Sequence, residues 1–97
     1  MIQHTVVFRL KHPRDSDEEQ DFLDRARALG RLPGVQAFRV LNQVGRKNDY
    51  DFALSMHFAS QAAYDAYDAH PEHQRFVHEV WLPRVETFLE LDYTERD

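Results

Sequence analysis

Residues 2–11 alternate in a way that suits an extended strand. Ile2, His4, Val6, Phe8 and Leu10 fall on one side, and Gln3, Thr5, Val7, Arg9 and Lys11 on the other. The same two-residue period returns at Tyr50–Phe58. There Tyr50, Phe52, Leu54, Met56 and Phe58 are apolar, while Asp51, Ala53, Ser55 and His57 between them are small or polar. Val35–Val44 and Val85–Tyr93 supply two more strand segments, and Gly45–Asp49 forms a connecting loop. Between the strands the period changes to that of a helix. Ser16–Glu19 has capping-box spacing, followed by Phe22, Leu23, Ala26 and Leu29 on one stripe that ends near Gly30, with a turn at Pro33–Gly34. Ser60 is placed to cap a second helix carrying Ala63, Tyr64 and Tyr67. His70 should end that helix, because a residue before proline disfavours the helical region. Pro71 opens a third helix with His73, Phe76, Val77, Val80 and Trp81 inward, and Pro83 is expected to stop it. The order β-α-β-β-α(α)-β predicts an α+β, ferredoxin-like βαββαβ fold on a four-stranded antiparallel sheet.

A chain of 97 residues is the size of a single domain spanning 1–97. Its formal net charge of −5 argues against a nucleic-acid or anionic-membrane surface, both of which need basic patches. The sequence has neither a long apolar run nor the features of a secretory signal, so a cytoplasmic protein is expected. With no cysteine, thiolate catalysis and cysteine-ligated zinc are excluded.

The chemistry-bearing residues gather in two places. His4 is a polar ring in an apolar strand face, where burial without a partner costs roughly 1–3 kcal/mol. Its bland role is a core histidine bonded to a carbonyl; its sharper role is contact with a ligand. The second place is the helix corner Tyr67-Asp68-Ala69-His70-Pro71-Glu72-His73. His73 shares the inward face of Phe76, Val77 and Val80, where an imidazole suits a general base, and Tyr67 one turn earlier could orient it. His70 is expected first to cap the third helix through its ring, and is also a candidate for contact with a ligand. Spacing of i, i+3 across a proline is a poor match to a zinc site, so no metal is assigned. Phe8, Phe22 and Trp81 are core aromatics first and candidate cavity walls second, and Tyr50 could rim a pocket. His12 and His78 are expected to be exposed. No serine has a nucleophile-elbow context, and Gly30, Gly34 and Gly45 make no phosphate loop.

The sheet face away from the helices is expected to carry Thr5, Val7, Ala37, Leu41, Ala53, Ser55 and Phe88 among Arg9, Arg39, Asp51, His57, Glu86 and Glu90. That mixture is too apolar for a purely solvated surface, and a homodimer pairing sheet to sheet would bury it.

Three segments, Ile2–Lys11, Asn48–Leu54 and Tyr64–His73, resemble the Dabb family, the stress-responsive dimeric α+β barrel domain, as does the terminal Leu91-Asp92-Tyr93. The resemblance covers essentially the whole chain and implies a dimeric α+β barrel. One branch of the family resembles a plant polyketide cyclase, in which a first-strand histidine and a tyrosine and histidine at the His-Pro corner line a cavity. By motif position these fall on His4, Tyr67 and His73. That branch also uses a tyrosine in the first helix, where this chain has Asp24-Arg25-Ala26-Arg27.

The expected function is binding of a small hydrophobic or aromatic molecule. The chemistry would be cofactor-independent proton transfer: His73 as base, Tyr67 orienting it, and His4 hydrogen-bonding a developing oxyanion. The alternative is a non-catalytic stress-response or interaction protein with structural histidines.

Overall fold

A computed structural model describes residues 1–97. Four strands, β1 (Ile2–Leu10), β2 (Gln36–Asn42), β3 (Phe52–Phe58) and β4 (Val85–Thr94), form one antiparallel sheet in the order β2-β3-β1-β4. Helix α1 (Asp17–Arg27) follows β1 and tightens into a 3-10 turn at Ala28–Arg31. Helices α2 (Gln61–Ala69) and α3 (Pro71–Phe76) connect β3 to β4. α3 continues through a π-helical turn at Val77–Trp81 and a last turn at Leu82–Arg84. Pro83 therefore does not stop the helix. It sits in the first turn after the π segment, where the normal i→i−4 ladder is already interrupted and its missing N–H costs little.

The predicted caps form. Ser16 Oγ accepts from Glu19 N at 3.2 Å, and Ser60 Oγ accepts from Ala63 N at 3.1 Å. Glu19 departs from a full capping box: its carboxylate reaches Asp15 N and the Arg14 guanidinium, each at 3.2 Å. The core lies between the helices and one sheet face. Phe8, Phe22, Phe58, Leu54 and Met56 are its fully buried centre. Phe8 meets Phe22 and Trp81 with ring centroids 5.5 and 5.0 Å apart, tilted as quadrupoles prefer. His12 is half-buried rather than exposed, and its Nε2 is sealed off without a hydrogen-bond partner.

Register assigns the two sheet faces. On the helix side, cross-strand rows run Phe52–Phe8–Phe88, Val40–Leu54–Val6–Glu90 and Met56–His4–Asp92. On the outer side they run Leu41–Ala53–Val7–Leu89, Arg39–Ser55–Thr5–Leu91 and Gln36–His57–Gln3–Tyr93. Phe88 and Glu90 thus lie on the helix side, contrary to expectation, and Leu89, Leu91 and Tyr93 take the outer positions. The cause is a bulge opposite Arg9 and Leu10: Leu10 pairs with Val85 but Arg9 pairs with Thr87. One extra residue in β4 inverts the parity of every side chain after it. A second bulge between Gln36 and Arg39 holds Ala37 at φ 51°.

Candidate functional site

The parity change in β4 brings Asp92 beside His4, its direct cross-strand partner. His4 Nδ1 lies 2.6 Å from Asp92 Oδ1, and Tyr64 Oη lies 2.8 Å from the same nitrogen and gives its hydrogen to Asp92 Oδ2 at 3.0 Å. A carboxylate only accepts, so Nδ1 carries a hydrogen and donates it. Nε2 has no protein partner, and in the neutral ring it holds the free lone pair. The His4 ring is buried, whereas the Asp92 side chain is close to half exposed. The Tyr64 ring is pinned by stacking on Phe58, with centroids 4.9 Å apart and planes 8° from parallel. Burial first, and then the hydrogen bond to Asp92 and its charge, push the Tyr64 hydroxyl far above the ordinary tyrosine range.

The His-Pro corner is built from helix ends. His70 is extended, as the following proline requires, and its Nδ1 accepts from Glu72 N at 3.1 Å, so it caps α3. The Asp68 carbonyl belongs to the last turn of α2, where carbonyls lack helical partners. It takes Gln74 Nε2 at 2.6 Å and His73 Nδ1 at 3.1 Å. A carbonyl cannot donate, so His73 Nδ1 also bears the hydrogen and its Nε2 is the free acceptor. The Tyr67 ring lies against His73, with centroids 4.4 Å apart. Tyr67 is 2 % exposed, and its hydroxyl has no hydrogen-bond partner in the protein. Burial, followed by the nearby Asp68 and Glu90 carboxylates, raises its pKa well above the usual value, so it is a neutral donor at physiological pH.

These groups meet at a cavity of about 120 Å³ between the sheet and α3. His4, Tyr67 and His73 line it together with Trp81 and apolar side chains from all the surrounding elements. Leu82, Phe88 and Glu90 are exposed and line it too, which marks the mouth. Four of the residues singled out in the sequence do not line it. Phe8 and Phe22 are wholly within the core, His70 is engaged as a cap, and Tyr50 sits in the β2–β3 connection, where its backbone bonds Gln43 and Asn48. No group of three or more His, Cys, Asp or Glu side chains converges in a metal-binding arrangement.

Tyr64 and Asp92 are the members of this arrangement that sequence patterning did not assign. Tyr64 was recoverable, standing three residues before Tyr67 on the same helix face. Asp92 was not, because its face depends on the bulge.

An antiparallel ferredoxin-like sheet with a histidine- and tyrosine-lined cavity under its helices defines a small α+β barrel-type domain. The model of the stress responsive A/B barrel domain (Dabb) matches residues 2–95, and the chain belongs to that family. A curated relative, a stress-response A/B barrel domain-containing protein of Arabidopsis thaliana, is 26 % identical over 95 residues, 96 % of this chain; the chain spans only 36 % of that protein's length. Among solved structures, a Dabb family protein with a ferredoxin-like fold from Mesorhizobium loti is 49 % identical, covering 99 % of this chain and 97 % of its own, with a TM-score of 0.96. Two more distant structures share the fold at 19 % identity. One is a hydroxynitrile lyase from Passiflora edulis (TM-score 0.85, 99 % and 94 % covered). The other is a dimeric ferredoxin-like protein of unknown function from Thermobifida fusca (TM-score 0.79, 97 % and 90 % covered). No helix of this chain is long and apolar enough to cross a membrane.

Proposed function

We propose that this protein is a homodimeric, cofactor-independent proton-transfer enzyme acting on a small, largely apolar carbonyl compound or its hydroxyl adduct. The observation that carries the proposal is the Asp92–His4–Tyr64 network, in which Asp92 and Tyr64 hold from behind a histidine that lines the cavity. His4 Nε2 can take a proton from a bound molecule, and the imidazolium so formed is stabilised by the Asp92 carboxylate at 2.6 Å. His73 leans on a neutral carbonyl instead, a weaker support for a positive charge. The hydrogen-bond partners therefore favour His4 as the base. The unpartnered Tyr67 hydroxyl is suited to donate to the oxygen on which negative charge develops, and His73, packed on the Tyr67 ring, serves as proton relay. No residue in this scheme needs a metal or organic cofactor to act.

The cavity size supports a compact substrate. A closed apolar cavity of about 150 Å³ takes up benzene, so about 120 Å³ suits one ring or a short chain. The similarity to a hydroxynitrile lyase, a fold likeness only, makes cyanohydrin cleavage one reaction to assay.

The test is deuterium exchange at carbons next to the carbonyl in small aryl and alkyl ketones, followed by NMR, alongside cleavage of an aromatic cyanohydrin. Acceleration by the wild type should fall by about 10²–10⁴ in His4→Ala, the usual contribution of a general base. Asp92→Asn should lower it about tenfold or more, through lost support of the imidazolium. Catalysis equal in wild type and His4→Ala for every compound would refute the assignment.

A further inference from the structure

We propose that Glu90 sets the charge preference of the cavity, so that the site accepts neutral or cationic carbonyl compounds and turns away carboxylates. This rests on the ligand site described above and names its substrate class. The parity inversion in β4 puts Glu90 at the open end of the row Val40–Leu54–Val6–Glu90, on the helix side of an edge strand. There it lines the cavity as the one carboxylate to do so, and no Lys or Arg side chain joins it. Glu90 is absent from every ion pair of the molecule, although Arg9, Arg14, Arg25, Arg75 and Arg84 are all paired elsewhere. It therefore stands at the mouth without an ion-pair partner.

The interior points the same way. Tyr67 is almost wholly buried, and its hydroxyl, lacking a protein partner, is available to a ligand oxygen. After burial and the Asp68 carboxylate, the Glu90 charge also acts to raise the pKa of that hydroxyl above the ordinary tyrosine value. A ligand carboxylate would sit between this charge and two imidazoles whose Nε2 atoms offer lone pairs, with only the Tyr67 hydroxyl as donor. A neutral carbonyl meets the same donor without the repulsion. An ammonium or amidinium group gains attraction to Glu90.

Benzamidinium, benzamide and benzoate share size and shape and differ in charge. Their binding is measured at pH 8 and low salt, by fluorescence of Trp81, the only tryptophan, and by NMR shifts of the His4 ring protons. Wild type should prefer benzamidinium over benzoate by about tenfold or more, an advantage that shrinks as salt screens the exposed charge. Glu90→Gln should reduce that ratio about three- to fivefold, and Glu90→Lys should reverse it. Both variants lie on an exposed edge position and should fold normally. A ratio unchanged in both variants overturns the role of Glu90 while leaving the ligand site intact. If none of the three molecules moves Trp81 or His4, the ligand site itself fails, and this proposal with it.

Discussion

The Tyr64 hydroxyl illustrates how much one atom can decide behind a cavity wall. It gives its hydrogen to Asp92 and lies 2.8 Å from His4 Nδ1, so it helps set both the tautomer and the orientation of the imidazole. Losing it in Tyr64→Phe should cost about 1–2 kcal/mol at neutral pH, the range for a buried hydrogen bond whose partners remain. The same substitution should alter the response to alkali. Tyr64 and Tyr67 both have pKa values raised above the unfolded value near 10, chiefly by burial. The folded state therefore keeps protons that the unfolded chain releases above about pH 10. Their contribution to stability is complete below that pH and is lost as pH rises toward the folded values. Each such tyrosine adds at most about 1.4 kcal/mol per pH unit to that loss, the limit for one retained proton, and solvent screening lowers it for Tyr64. Urea midpoints between about pH 8 and 11.5 should fall less steeply in Tyr64→Phe than in wild type. Parallel curves would show that Tyr64 ionises as freely in the folded protein as in the unfolded one.

Among the elements, the two bulges do most to shape the molecule. Strand existence was legible from alternation; β1 buries the side its pattern predicted, while β3 buries that side and also the small Ala53 and Ser55 of the outer one. The faces of β4 were not legible, because Phe88-x-Glu90-x-Asp92 and Leu89-x-Leu91-x-Tyr93 are both compatible with a half-buried strand. A bulge carries no fixed residue signal, and a single extra residue moved Asp92 and Glu90 to the cavity side. In β2 the second bulge leaves Ala37 in the left-handed region, which costs a residue with a Cβ roughly 1–2 kcal/mol. Ala37 is exposed, so Ala37→Gly relieves the strain without opening a core cavity. After the greater unfolded-state freedom of glycine is subtracted, the variant should gain about 0.5 kcal/mol. Thermal melts would register this as a small increase in Tm; a clear decrease would mean that the bulge conformation is not strained. The corner between α2 and α3 was legible in greater detail, because proline and helix-end chemistry act locally: His70 caps α3 as its position before Pro71 suggested.

Across the molecule as a whole, the outer sheet face remains uncovered by the chain's own helices. Leu41, Leu89, Leu91 and Tyr93 are large exposed apolar residues on that face, interleaved with small side chains of the central strands. A second copy of the chain packed sheet to sheet would bury them, the arrangement proposed for the homodimer, and solved neighbours of the same fold are described as dimeric. Leu91 is the outer member of the row Arg39–Ser55–Thr5–Leu91. Placing a charge there should dissociate the pair while leaving the helix-side core unchanged. Sedimentation at micromolar concentration should find a dimer for wild type and mainly monomer for Leu91→Lys, with circular dichroism unchanged. A monomeric wild type would remove the homodimer from the proposal.

The order of elements, the helix caps, the His-Pro corner and most of the core were already written in the chain. Each follows from local physics: a two- or 3.6-residue period, a fixed proline φ, or a side chain bonding to a backbone a few residues away. Which residues meet around His4 and its cavity was settled at the level of tertiary packing. Tyr64 stands 60 residues from His4 and 28 from Asp92 along the chain, and the meeting of the three depends on strand register. Register is set by the packing of a whole face, and one bulged residue inverts it for the rest of the strand.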